Sequence, residues 1–278
     1  MRFWVRDRLV PPDQATVSVL DHGFTVADGV FETLKVVDGV PFALTRHLER
    51  LAVSARGLAL PEPDPDLVRK AVADTVAACA DEWGPLARLR ITYTGGTAPL
   101  GSDRGDAEPT LVVAGAATAA WPATTSVVTV PWPRNERSAV AGLKTTSYAE
   151  NVVALARARE RGASEALVPN TRGELCEGTG SNVFVVVDGR VLTPPLTSGC
   201  LAGVTRALVL EWIDAEEVDL PMDVLRTADE VFLTSSTRDV HPVHAVDERN
   251  LTGPGTAGPV TAEAARQFAA RSAQDVDP

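Results

Sequence analysis

Apolar residues recur along the chain with two different periods, and the switches between them mark out its elements. In "TRHLERLAVSARGL", Leu48, Leu51, Ala52 and Ala55 fall at i, i+3, i+4 and i+7, one face of a helix. "DPDLVRKAVADTVAACADEW" repeats the pattern behind an acidic start, which suits the positive end of a helix dipole. Elsewhere the apolar runs are short and β-branched. "LKVVDGVPFAL" and "VFVVVDGRVLTPP" each set Asp-Gly between two such runs, a pair that accommodates the positive φ angles of a tight hairpin. "LRITYTG" and "PTLVVAG" read as strands. Residues 1–116 therefore predict a small α+β domain of hairpins and two helices.

"AATAAWPATT" changes the composition and predicts a linker over residues 117–124. A larger domain follows over 125–278: strand "SVVTVPW", helix "YAENVVALARARERG", hairpin "EALVPNTRGELCEG" and strand "SNVFVVV". Helix "GVTRALVLEWI", strand "EVFLTSS" and a last helix near 260–272 complete it, with no internal repeat. The final "SAQDVDP" predicts a frayed end.

Composition narrows the class. The 278 residues are 45% hydrophobic and 23% charged, the profile of a soluble globular protein with room for one large domain or two modest ones. A net charge of −11 argues against non-specific binding to nucleic acid or anionic membrane. The start "MRFWVRDRLVPPDQ" lacks a signal-peptide core, and no apolar run approaches a membrane span. Cys79, Cys176 and Cys200 are scattered without metal spacing and suit a reducing cytoplasm. His22, His47, His241 and His244 also lack ligand-type spacing, so no metal is expected. His22 in "DHG" reads as a structural turn residue, and His241 in "DVHPV" as a neighbour of a pocket.

The cations point to chemistry. Against 23 arginines stand three lysines, Lys35, Lys70 and Lys144. Arginine stays protonated, whereas a lysine amine can be neutralised by its surroundings and act as base or nucleophile. Lys70 lies on a charged helix and Lys35 in a strand before a turn, both ordinary surface settings. Lys144 differs: in "AGLKTTSYAENVV" it sits among hydroxyl residues just before a helix, four residues ahead of Tyr148. Such groups can orient a bound carbonyl cofactor. "LAGVTR" sets Gly203, Val204 and Thr205 at a helix start, where free N–H groups favour an anion. "TSSTRDV" adds a hydroxyl-rich turn from Thr234 to Thr237, and "LCEGTGSNVF" a carboxylate, Glu177, amid glycines.

Together "GLKTTSYAENV", "LCEGTGSNVF", "TPPLTSGCLAGVTR" and "FLTSSTRDVHPV" resemble the successive signatures of the class IV aminotransferase family, the fold type IV pyridoxal-phosphate enzymes. "DHGFTVADGVFETLKVVDG…RHLERL" matches the family's small-domain pattern, so the resemblance runs from residue 1 to about 272. It implies an α/β (α+β) fold: a small N-terminal α/β domain, a larger C-terminal pseudo-barrel domain and pyridoxal 5'-phosphate between them. It further implies a small-molecule amine substrate and a homodimer. Lys144 stands at the family's Schiff-base lysine, which also shuttles the substrate proton, and Glu177 at the carboxylate that pairs with the pyridine nitrogen. Arg50 matches the phosphate-binding arginine; Val204, Thr205 and Ser236 match donors to the same phosphate. Thr237 corresponds to the turn beside the substrate carboxylate. Tyr148 falls near the tyrosine that bonds the cofactor's phenolic oxygen.

The branch is read from smaller signals. Branched-chain aminotransferases usually carry "FEG" and D-amino-acid aminotransferases "YEV", whereas this chain carries "FET". Thr33 and "AGLK" resemble the 4-amino-4-deoxychorismate lyases of folate biosynthesis, which make 4-aminobenzoate and pyruvate. In that reading Thr33 or Lys144 protonates the departing enolpyruvate. The alternative is an aminotransferase acting on branched-chain or D-amino acids with 2-oxoglutarate, which shares every cofactor residue. "TYTGG" at 92–96 replaces the "SRG" of some relatives, leaving Arg88, Arg90 and Arg104 as candidate carboxylate anchors. A catalytically idle binding protein is a further reading, opposed by the joint presence of Lys144, Glu177 and Arg50.

Overall fold

Both Asp-Gly pairs turn the chain where the pattern predicts. In the computed structural model, which describes all 278 residues, Asp38 and Gly39 have φ of 48° and 77°, and Asp188 and Gly189 have φ of 50° and 76°. Two consecutive left-handed residues make the type I′ turn, whose twist matches the strands it joins. The architecture is mixed α/β, as expected. The chain divides into two compact units. The first comprises Met1–Ala120, Leu143–Ser147 and Val276–Pro278, the second Trp121–Gly142 and Tyr148–Asp275.

The first unit contains β1 (Phe3–Val5), β2 (Arg8–Val10), the short α1 (His22–Thr25), β3 (Gly29–Val37), β4 (Val40–Pro41), α2 (Leu44–Gly57), α3 (Pro65–Trp83), β5 (Leu86–Thr94) and β6 (Thr110–Ala117). Six strands form an antiparallel sheet in the order β2-β1-β6-β5-β3-β4. Successive strand residues face opposite ways. Val30, Leu34 and Val36 of β3 and Leu89 and Ile91 of β5 enter a core with Leu48, Leu51 and Ala55 of α2 and Val68 and Val72 of α3. Glu32 shares that inward face of β3. Phe31 and Thr33 take the other face, paired in register with Thr92 and Arg90.

Two distant segments return to this unit. Lys144 and its neighbours run antiparallel to β3: Phe31 N–H donates to Lys144 O at 3.0 Å, and Thr146 N–H to Gly29 O at 2.8 Å. Val276–Pro278 docks at the start of α2, where Ala43 N–H donates to Val276 O at 2.7 Å. The frayed end expected from "SAQDVDP" is therefore corrected. Its polar composition hid the backbone partners that anchor it.

The second unit contains β7 (Thr125–Thr129), α4 (Ala149–Glu160), β8 (Glu165–Pro169), β9 (Leu175–Gly178), β10 (Asn182–Val187), β11 (Arg190–Thr193), α5 (Val204–Trp212), β12 (Ala215–Glu217), α6 (Val224–Thr227), β13 (Glu230–Ser235), β14 (Asp239–Val246), β15 (Arg249–Asn250) and α7 (Pro259–Gln274). One sheet runs β12-β11-β10-β13-β14-β7-β8-β9, with β15 added to β14. Val183 and Val185 of β10 and Val231 and Leu233 of β13 fill one core with Val127, Leu167 and Val243. On the other side of the sheet Phe184 and Phe232 stack with ring centres 4.8 Å apart. No helix is long and apolar enough to cross a membrane.

Candidate active site

In the first unit the lysine is fixed from two sides. Lys144 O accepts from Phe31 of β3, and Lys144 N–H donates to the buried Ser54 Oγ of α2 at 3.1 Å. Thr146 Oγ1 adds a bond to Ala27 O at 2.8 Å. The side chain then crosses an aromatic face, with Nζ 4.5 Å from the Phe31 ring centre. The Arg90 guanidinium carbon is 3.6 Å from that same centre. An amine and a guanidinium thus share one ring, whose quadrupole attracts both.

Of the three candidate anchors, Arg90 is the one brought beside Lys144 in this way. Arg88 is exposed two residues earlier on β5, paired in register with Lys35. Arg104 forks onto both Asp28 oxygens at 2.5 and 2.7 Å and donates to Ala59 O and Leu58 O. Those bonds commit it to bracing the chain, which corrects its candidacy. Lys35 Nζ lies 5.3 Å over Phe42, and Lys70 pairs with Asp74, so each has an ordinary partner. His22 is buried with Nε2 2.9 Å from Pro99 O; it opens the short helix α1 behind the Asp21 cap rather than sitting in a turn, which corrects that expectation.

Beneath Phe31, on the inward face of β3, lies a second charged group. Arg50 Nε and Nη2 fork onto Glu32 at 2.8 and 2.6 Å, and His47 Nδ1 is 2.6 Å from Glu32 Oε2. Burial pushes the Glu32 carboxyl up, but the Arg50 charge and bonds, with His47, outweigh it and hold it down at about 2. Burial likewise pushes His47 down, against the pull of Glu32. An ionised carboxylate only accepts, so Nδ1–H of a neutral His47 is the donor. Glu32 was not singled out from the sequence. Its signal was there: a carboxylate at an inward position among Val30, Leu34 and Val36 demands a buried cationic partner.

The second unit supplies a matching set of groups. Glu177 of β9 is buried; Oε1 accepts from Arg134 Nε at 3.1 Å and Oε2 from Leu201 N–H at 2.9 Å. Arg134 also reaches Asn151 Oδ1 at 3.2 Å in the first turn of α4, three residues after Tyr148 at that helix's start. Val204 and Thr205 open α5 behind Gly203, with no side-chain cap. Its first N–H groups are thus unclaimed by a cap, the arrangement that accepts an anion. Asn182 Oδ1 occupies the space a Cβ on Gly203 would need. Asn182 in turn pairs in register with Thr234, whose buried Oγ1 has no partner within the protein. An orphaned hydroxyl beside an uncapped helix start fits a phosphate.

Ser236 and Thr237 form the turn between β13 and β14, and Trp121 Nε1 lies 3.5 Å from Thr237 Oγ1. Behind the turn the Arg238 guanidinium covers the Trp121 ring at 3.7 Å and donates to His241 Nδ1 at 2.8 Å. A guanidinium cannot accept, so His241 is neutral at Nδ1 and donates from Nε2 to Pro122 O at 2.9 Å. Burial and the Arg238 charge push His241 down to about 4. Arg134, Asn151 and Arg238 escaped sequence reading because each lies far along the chain from its partner.

The amino-transferase class IV family matches residues 29–246. Over 265 residues the chain is 35% identical to the bifunctional aminodeoxychorismate lyase / D-amino acid transaminase of Mycobacterium tuberculosis, covering 87% of this chain and 90% of that protein. It is 32% identical over 259 residues to a putative branched-chain-amino-acid aminotransferase of Methanocaldococcus jannaschii, covering 90% and 89%. A hypothetical aminotransferase from Mycobacterium tuberculosis, solved in a pyridoxal-phosphate-bound form, matches with a TM-score of 0.85 at 28% identity over 97% and 98% of the two chains. The chain belongs to the class IV aminotransferase family, the fold type IV enzymes, as its motifs implied.

Proposed function

We propose that the chain is a pyridoxal-phosphate-dependent aminotransferase that moves the amino group of a branched-chain or D-amino acid to 2-oxoglutarate. Of the two readings raised by the sequence, this was the alternative to the lyase. The names of the relatives favour it. The observation that carries the cofactor-dependent chemistry, which lyase and aminotransferase would share, is the fixed lysine, held by Phe31 and Ser54 with its amine over an aromatic face.

Pyridoxal phosphate, when bound, supplies a ring that accepts the electron pair left as the bond to the α-hydrogen breaks. Lys144 Nζ would hold the cofactor and, once displaced by the substrate amine, would accept the proton from the amine-bearing carbon. Phe31 underlies that amine and fixes the direction of its side chain. Glu177 would face the ring nitrogen, and Arg134 with Leu201 N–H orients that carboxylate. Arg50, the N–H groups of Val204 and Thr205, and the Ser236 hydroxyl hold the phosphate, while Tyr148 bonds the phenolic oxygen. Arg90 would take the substrate carboxylate, since a guanidinium suits a carboxylate's two oxygens, and Arg88 and Thr237 are the further proposed substrate contacts.

The test is a panel of L- and D-amino acids with 2-oxoglutarate, run on cofactor-loaded protein and on Lys144→Ala. Keto acid from the parent, with turnover and visible cofactor absorbance lost in the variant, is expected. An active Lys144→Ala protein sinks the reading. The lyase reading keeps one support, the bifunctional relative, and Thr33 lies opposite Arg90 in register. Pyruvate with 4-aminobenzoate from aminodeoxychorismate, and no transamination, would put the lyase in first place, with Thr33 or Lys144 as the proton donor. The proposed assembly is a homodimer joined through exposed apolar side chains of the first unit, where Val19, Phe24 and Leu100 are 73%, 76% and 76% exposed.

A further inference from the structure

Helix α2 carries Arg50 of the proposed site, which shares Glu32 with His47, and Ser54, which holds Lys144. Its start is unusual. The N-cap is Ala43, left-handed at φ 54°, with no side-chain oxygen to serve the first free N–H groups. That service comes from the far end of the sequence. Asp277 Oδ1 accepts from Thr45 N–H at 2.7 Å, the bond an N-cap side chain would ordinarily make. Asp277 Oδ2 accepts from Thr45 Oγ1 at 2.5 Å, Val276 O from Ala43 N–H at 2.7 Å, and Pro278 O from Arg46 Nε at 2.7 Å. Arg69 of α3 donates to the same Thr45 hydroxyl at 2.8 Å.

We infer that Asp277 is a positioning residue: it caps α2 from 232 positions away and thereby sets the place of Arg50 for the cofactor phosphate. The inference rests on the phosphate role proposed for Arg50. A carboxylate at the positive end of the helix dipole adds to the cap, and Thr45 links it to α3. Without it the first turn frays, and His47 and Arg50 lose the fixed backbone from which they grip Glu32.

The experiment compares full-length parent, Asp277→Ala, Asp277→Asn and Arg50→Ala. Hydrogen exchange over residues 43–50 reads the cap directly. Titration with pyridoxal phosphate and with pyridoxal, which lacks the phosphate, reads its consequence. Asp277→Ala is expected to exchange faster there and to bind pyridoxal phosphate about three- to tenfold more weakly, with pyridoxal unchanged. Asparagine keeps an acceptor oxygen, so Asp277→Asn should restore most of both. General destabilisation would weaken both ligands alike, and that outcome overturns the inference, as does unchanged exchange. If Arg50→Ala loses phosphate selectivity and Asp277→Ala does not, the cap has no such role. If Arg50→Ala itself keeps that selectivity, the phosphate assignment fails, and the inference goes with it.

Discussion

Lysine at position 144 and histidine at 241 show how neighbours decide what a titratable group does. Lys144 is one of three lysines, and the role proposed for it rests on what surrounds it: a backbone clamped by Phe31 and Ser54 and an amine over an aromatic ring. His241 is held neutral because Arg238 donates into its Nδ1. Its folded pKa, about 4, lies below the unfolded value of 6.5. The unfolded chain therefore takes up the proton first as pH falls. The stability that a neutral His241 contributes is present above about pH 6.5 and is lost as pH falls toward 4. In His241→Gln the amide can still accept from Arg238 and donate to Pro122 O, yet it does not titrate. Urea unfolding at several pH values should show the parent losing on the order of 1–2 kcal/mol more than the variant between pH 6.5 and 4. Parallel stability curves for the two proteins would reject the His241–Arg238 account.

Strand β3 illustrates what an element adds, since its two faces do different work. The inward face sets Glu32 against α2, and the outward face sets Phe31 beneath Lys144 and Arg90. The alternation was legible in "GVFETLKVV", but which residues would meet those faces was not. Strand β5 must end sharply after Thr94, and Gly96 makes that end. Its φ is 77°, and a Cβ there would collide with the carbonyl oxygen of Glu108. Main chain cannot swing aside as a flexible side chain can. Gly96→Ala is expected to destabilise the protein by about 2 kcal/mol or more, from left-handed strain plus overpacking. An unchanged denaturation midpoint would show that the turn yields at no cost.

For the whole molecule, surface apolarity carries the proposal of assembly. Val19, Phe24 and Leu100 of the first unit leave most of their side chains in water, and large exposed apolar groups of this kind suit an interface. Sedimentation of the parent should give twice the 29.3 kDa chain mass, and Phe24→Asp should shift it toward a single chain. A parent that sediments as one chain removes the homodimer from the proposal.

The sequence by itself determined the family, the mixed α/β class, the hairpin turns and the helix faces. Each of these rests on local periods, turn chemistry or contiguous motifs. Asp38-Gly39 and Asp188-Gly189 needed no distant partner to be read, and neither did the helical stripe through Leu48 and Leu51. Tertiary structure alone decided which arginine does what. Arg50 grips Glu32, Arg104 braces Asp28, Arg134 orients Glu177 and Arg90 shares a ring with Lys144. It also decided that strand "DVHPVHAV" lies inside a sheet and that the polar tail caps α2. Those outcomes depend on pairing between residues far apart in the chain. Charge and hydrogen-bonding partners at that separation leave no periodic trace in the sequence.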